Sequence, residues 1–367
     1  VRLTIPLTGD EELEEIRGVL ESGYLTPGPK VIEFEKMVAD MIGSKYTFAT
    51  SSATTALHLS LVALEIKAGD EVLVPDFTFP ATANVVVQQG AKPVLVDIEL
   101  GSFAISIDDL KNKITPQTKA IMPVHPFGCS ADMDAIMEIS KDANLAVIED
   151  AATAIGTQYY DRFVGSIGTT GCFSFHPRKV ITTGEGGMIA TDDDQLAERI
   201  SILRSHGGVR SGFWYRYEEA GFNYRLSDVL GAIGVAQMRK LDWLIERKRL
   251  LAAHLRDLLA DVEGITCPSD PPWGGHIYQS FVILVNSEIN RDKVIADLRE
   301  CDIETTLGTY ALHDQPFFQR RYGYKSNDLP NSHFAFTQSI TLPLYPQMNN
   351  NDIQTVAENL IDVIGQN

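Results

Sequence analysis

Apolar residues recur with a helical period near the start of the chain. Leu13, Ile16, Val19 and Leu20 mark one face of a helix expected over 10–23, and Phe34, Met37, Val38 and Met41 mark a second over 31–42. The segment between them, 23–29, is rich in Gly and Pro and reads as a loop. Beyond Tyr46 the pattern changes to short apolar runs, at 46–49, 71–75, 93–97, 119–124, 145–150 and 172–175, several of them separated by helix-like segments such as 53–64, 81–89 and 132–143. Strand–helix alternation at a spacing of roughly 20 to 25 residues predicts an α/β fold, a mostly parallel sheet with helices on both faces. In such sheets the chemistry sits at the carboxyl ends of the strands. A Leu-rich helical stretch over 226–259 is followed by a strand-like run at 279–285, a helix-like segment at 292–300 and a last helix from Asp352. A boundary near Lys240 therefore divides an expected large domain, 1–240, from a smaller α+β domain, 241–367.

The balance of 31 basic against 49 acidic residues gives a net charge of -18, which argues against nucleic acid or an anionic membrane surface as a partner. Cys129, Cys172, Cys267 and Cys301 are scattered without CxxC spacing, so neither a zinc site nor a disulfide framework is expected. His58, His125, His206 and His313 show no i, i+4 pairing, and no metal site is assigned. The chain opens without a basic-then-apolar leader and has no apolar run near the roughly 18 to 20 residues that span a bilayer, so a cytoplasmic location is expected.

Four segments carry candidate chemistry. Lys179 ends Phe173-Ser174-Phe175-His176-Pro177-Arg178-Lys179, just past an apolar run and just before the Gly-rich turn Thr182-Thr183-Gly184-Glu185-Gly186-Gly187. A lysine so placed suits a Schiff base with a carbonyl ligand, and a surface lysine beside a turn would look the same. The run Val147-Ile148-Glu149-Asp150 ends in two carboxylates, of which Asp150 is chosen to pair with a pyridine nitrogen because Glu149 points the opposite way on a strand. A carboxylate capping the next turn is the alternative. Ser52, Ala53 and Thr54 open an Ala-rich helix, where free amides and hydroxyls at a positive dipole end suit a phosphate, or where Ser52 is an ordinary cap. Ser174, beside the lysine, can add a phosphate contact. Phe79 lies just past a strand, where it can stack on a planar ring or fill the core.

Together these segments resemble the DegT/DnrJ/EryC1/StrS family of sugar aminotransferases, a branch of the fold-type I pyridoxal-phosphate enzymes. The resemblance extends from Gly23-Tyr24-Leu25-Thr26-Pro27-Gly28 to Leu342-Pro343-Leu344-Tyr345-Pro346. It implies that Lys179 holds pyridoxal phosphate covalently and shuttles the proton, and that Asp150 pairs with the pyridine nitrogen. It implies that Ser174 and the groups around Ser52, Ala53 and Thr54 cradle the phosphate, and that Phe79 stacks on the ring. Asn223 would reach the phosphate of the neighbouring subunit, so the implied assembly is a homodimer with shared active sites. Two positions depart from the family pattern: Ala53 stands where Gly is common, and Thr153 stands where Gln or His bonds the cofactor's phenolic oxygen. Arg225, Tyr310 and His313 are candidates for contacts to a nucleotide diphosphate.

The resulting expectation is ping-pong transfer of an amine from glutamate or glutamine to a nucleotide-linked 4-keto-6-deoxy sugar. The competing readings are a pyridoxal-dependent sugar dehydratase, which carries His where Lys179 stands, an aminotransferase for a cyclitol or aromatic precursor, and a non-catalytic sensor that keeps the pocket. A nicotinamide dehydrogenase lacks its GxGxxG turn here.

Overall fold

The computed structural model describes residues 1–366. Seven strands make the central sheet: β1 Tyr46–Thr50, β2 Glu71–Pro75, β3 Lys92–Val96, β4 Thr118–Ile121, β5 Ala146–Asp150, β6 Thr170–Ser174 and β7 Gly187–Thr191. Their order is β1-β7-β6-β5-β4-β2-β3. Every neighbouring pair is parallel except those of β7, which runs antiparallel to both β1 and β6. The sequence pattern left β7 out because it starts inside the Gly-rich segment that reads as a turn. Its direction matters: Thr50 pairs with Gly187 and Gly187 with Ser174, so the carboxyl ends of β1 and β6 meet the start of β7 at one edge.

Alternate residues of the central strands feed two cores. Val147, Phe173 and Met188 point to one face, with Phe34, Val38 and Val235, while Ile148, Cys172 and Ile189 point to the other, with Leu57, Leu61 and Val85. Burial on both faces is what a mostly parallel sheet requires. The first face is covered in part by α2 Pro29–Ile42, with α1 Asp10–Ser22 packed on the helix Asp228–Arg239, and the second by α3 Ala53–Ala63 and α4 Ala81–Gln88. Helix α2 has Pro29 as its first residue and stops at Gly43, whose φ of 73° favours glycine.

The expected helix over 226–259 is two helices, α5 Asp228–Arg239 and α6 Leu241–Leu259, which meet at Lys240. Beyond them β8 Ile265–Thr266, β9 Phe281–Val285 and β10 Ser339–Leu342 form an antiparallel sheet. Leu251 and Leu255 of α6 pack on it with Val294 and Leu298 of α7 Arg291–Glu300, and Leu360 of α8 Asn350–Gly365 closes the same core. Val1 and Ile5 also pack there, although the sequence grouped them with the large unit, and Glu304 donates its amide to the Val1 carbonyl at 2.9 Å. Another element the sequence did not signal is a hairpin, Gly208–Ser211 with Trp214–Tyr217, whose Phe213 and Trp214 are 97% and 79% exposed. Among the described residues no helix is long and apolar enough to cross a membrane.

Candidate active site

A cavity of about 570 Å³ opens at the carboxyl edge of the sheet, between the large unit and the β9–β10 sheet. Its floor follows from the strand pairing. Thr50, Gly187 and Ser174 lie side by side, and β7 runs so close beneath the start of α3 that a Cβ on Gly187 would sit 2.4 Å from the Ser52 carbonyl. The Ser52 side chain accepts the Thr55 amide at 3.1 Å and so caps α3. The amides of Ala53 and Thr54, both on the cavity wall, have no acceptor within the helix. Ser174 lies on the same wall, so these groups could hold a phosphate at a positive helix end.

Lys179 lies in a loop drawn back onto the sheet. Phe175 and Gly186 bond at 2.9 Å, Thr183 donates to the Phe175 carbonyl at 2.9 Å, and the Lys179 amide closes a turn on His176 at 2.8 Å. From the C-terminal unit, Gln279 donates to the Arg178 carbonyl at 3.0 Å. Removal from water brings the Lys179 ammonium down to about 8, helped by Arg178 and opposed by Asp150.

Asp150 ends β5 and is 5% exposed. Thr82 of α4 donates to its Oδ2 at 2.8 Å and the Ala152 amide to its Oδ1 at 3.2 Å. Burial still pushes its pKa up, against those hydrogen bonds and the nearby lysine. A buried carboxylate held by two neutral donors suits a protonated ring nitrogen. Glu149, one residue earlier, points to the other face, where it accepts the amides of Gly165, Ile167 and Gly168 at 2.6–2.7 Å and His125 Nε2 at 2.9 Å. Phe79 is 66% exposed on the cavity wall rather than packed in the core, so its face is free.

Other placements differ from the sequence reading. Thr153 lines the cavity, but its hydroxyl donates to the His125 carbonyl at 2.7 Å and has no proton left for a phenolic oxygen. His313 is fully buried against Asp76 and does not reach the cavity. Tyr310 pairs with Thr78 through the backbone and packs toward Phe336, outside the lining. Arg225 is also outside, its guanidinium held by Ser205 at 2.9 Å and Asn223 at 2.9 Å. Asn223 is likewise absent from the cavity of its own chain. The sequence reading missed Thr82, and it missed a wall built from the C-terminal unit by Thr306, Gly308, Thr309 and Thr341. Neither carries a local signal: Thr82 reads as one more small helix residue, and the wall is assembled by long-range packing.

A mostly parallel sheet with one reversed strand, a helix-end phosphate cradle, a buried carboxylate and a desolvated lysine define a fold-type I pyridoxal-phosphate enzyme. The chain belongs to the DegT/DnrJ/EryC1/StrS aminotransferase family, whose model matches residues 6–361. It is 37% identical over 374 residues to the spore coat polysaccharide biosynthesis protein SpsC of Bacillus subtilis, covering 98% of this chain and 96% of that protein. The fold matches DesV of S. venezuelae, solved with a ketimine intermediate, at a TM-score of 0.91 and 31% identity over 96% of this chain and 94% of the other. It also matches Spr1654 of Streptococcus pneumoniae in its PMP form, at a TM-score of 0.94 and 25% identity over 100% and 99% of the two chains. The protein is a pyridoxal-phosphate-dependent aminotransferase, and pyridoxal phosphate is its cofactor.

Proposed function

We propose that this aminotransferase moves an amino group from glutamate or glutamine to a nucleotide-linked keto-sugar, a 4-keto-6-deoxy sugar first among the candidates, by a ping-pong sequence. The observation that carries the sugar reading is the cavity wall from the C-terminal unit, where Thr306, Gly308, Thr309 and Thr341 are polar and contribute no fixed charge. Such a wall suits a ligand that is itself covered in hydroxyls. The name of the Bacillus relative, a polysaccharide biosynthesis protein, points the same way.

When bound, pyridoxal phosphate supplies a carbonyl carbon for amine exchange and a ring that accepts electrons. The chain's own groups do the rest. Ala53, Thr54 and Ser174 would hold the phosphate, Phe79 would stack on the ring, and Asp150 would keep the ring nitrogen protonated. Lys179, once its amine is free, would carry a proton from the donor's α-carbon to the cofactor in the first half-reaction, and from the cofactor to the sugar carbon in the second. With its pKa brought down to about 8, about one amine in ten is neutral at pH 7, far more than for an ordinary lysine. The lysine also weighs against the dehydratase reading.

A homodimer with shared sites fits two features. Asn223 does not line its own cavity, and the hairpin that ends a few residues before it exposes Phe213, Trp214, Tyr215 and Tyr217, an aromatic surface suited to a partner. The test of function is an absorbance spectrum of the cofactor-loaded protein on adding glutamate or glutamine and then a panel of nucleotide keto-sugars. The visible band should fall with one donor and return with one sugar. A band indifferent to every donor, or restored only by a cyclitol ketone, overturns the sugar reading.

A further inference from the structure

We propose that His313, Asp314 and His333 form a site for one divalent transition-metal ion, zinc above all, which fastens the segment behind the substrate wall to its neighbouring helix. One possible ligand atom from each residue lies within 4.8 Å of the others. His313 and Asp314 close the 3-10 turn Leu312–Asp314, and His333 stands near the start of helix Pro330–Gln338. The sequence reading assigned no metal because it looked for paired histidines one turn apart. Here the ligands come from segments about twenty residues apart that fold together.

The orientation of His313 is the strongest part of the case. Its ring is fully buried, and Nδ1 lies 2.5 Å from Oδ2 of Asp76, whose Oδ1 accepts the His313 backbone amide at 2.7 Å. Nδ1 therefore carries a proton, and Nε2 faces the Ser326 carbonyl at 3.2 Å and Oδ2 of Asp314 at 3.7 Å. A histidine whose far nitrogen is gripped by a carboxylate is the arrangement that fixes and strengthens a metal ligand. His333 Nδ1 lies 2.6 Å from the same Asp314 oxygen, and its ring is 42% exposed, which gives an ion a way in.

The geometry leaves one atom of the buried ring for an ion: Asp76 takes the Nδ1 side, and Nε2 lies beside Asp314, which His333 also reaches. A divalent cation there would be met by Nε2, Asp314 and His333 together. Two imidazoles and a carboxylate match zinc, whose bonds to such ligands are roughly 2.0–2.2 Å. The frame is held independently: Asp76 anchors the 3-10 turn, and Asp97 accepts the amides of Asn331 and Ser332 at 3.0 and 2.8 Å, anchoring the helix. These two aspartates follow β2 and β3, which are adjacent. Because Gly308 and Thr309 of the cavity wall lie a few residues before His313, the ion would stiffen that wall without touching the reacting atoms.

The test uses cofactor-loaded protein, stripped with a chelator and titrated with zinc chloride against a chromophoric competitor, then with cobalt chloride to read the visible ligand-field bands. The wild type should bind about one equivalent per chain with a tetrahedral or five-coordinate cobalt spectrum. His333→Ala and Asp314→Ala should each weaken binding by at least about 100-fold while keeping the cofactor band and the far-UV spectrum. Failure of folded wild type to bind near-stoichiometric metal overturns the site. So does equal binding by the wild type and both variants, which would place the ion elsewhere, on the cofactor phosphate for example.

Discussion

The Thr82 hydroxyl donates to Oδ2 of Asp150 at 2.8 Å, and Thr78 Oγ1 lies 3.0 Å from the same hydroxyl. Thr82 thus spends its one proton on the carboxylate and can accept from Thr78 in turn. A chain of hydroxyls from the loop after β2 fixes which way Asp150 points. Thr82→Val should lower turnover about tenfold, the scale of one charge-assisted hydrogen bond, while Thr82→Ser keeps most of it. Asp150→Asn should be far worse, because the charge itself is lost. In both impaired variants the ring nitrogen should lose its proton at lower pH, read from the nitrogen-15 resonance of bound cofactor labelled at that atom. An unmoved titration in Thr82→Val would reduce Thr82 to a packing role.

Lys179 gives a prediction about pH. Its ammonium is brought to about 8, far below an ordinary lysine, because folding takes it out of water. Only the neutral amine attacks a carbonyl. Covalent capture of pyridoxal phosphate by cofactor-free protein should therefore accelerate about tenfold per pH unit below 8 and level off above it. An inflection near 10 would show the amine to be solvated. Lys179→Ala should show no covalent band and no turnover at any pH.

Much of this architecture is legible in the sequence because the physics that fixes it is local. The strand end at Asp150 follows from an apolar run that stops at polar residues, and the start of α3 follows from a Ser cap before an Ala-rich helix. What stayed hidden depends on distant partners. Nothing near His313 announces that Asp76, 237 residues earlier, removes it from the substrate. Arg225 offers charge, and only the fold reveals that Ser205 and Asn223 occupy its guanidinium. Strand β7 escaped notice because Gly186 and Gly187 signal a turn, whereas packing against Ser52 is what demands a residue without a side chain at Gly187.

Glu149 should govern acid stability. Burial pushes its pKa up, but His125 and the amides of Gly165 and Gly168 outweigh that and hold it below the ordinary value. A carboxyl lowered by folding contributes stability that is present above its unfolded pKa of roughly 4.3 and is lost as pH falls through the lower folded value. Glu149→Gln leaves three backbone amides and a histidine with a weaker acceptor, and should cost about 3 kcal/mol or more at pH 7. Urea unfolding at pH 7, 5 and 3.5 checks this: the variant should lose less stability on acidification than the wild type does.

Lys248 runs the other way. Its side chain is buried, with 4% of the residue exposed, and its Nζ donates to the Leu344 carbonyl at 2.8 Å. Burial brings its pKa down to about 7. For a lysine lowered by folding, the unfolded chain binds more protons between pH 7 and the unfolded pKa of roughly 10.4, so stability rises with pH across that window. Below pH 7 the full penalty applies, at most about 5 kcal/mol by the size of the shift. Lys248→Met removes the charge and keeps the length, but leaves the Leu344 carbonyl without its donor, which returns about 1–3 kcal/mol of the gain. The variant should therefore be more stable than the wild type by about 2 kcal/mol at pH 7 and lose that advantage by pH 10. Guanidinium unfolding of both proteins at pH 7, 8.5 and 10 decides the matter. A variant that is less stable at pH 7 would mean that the lysine is hydrated or that its bond to Leu344 outweighs the burial of its charge.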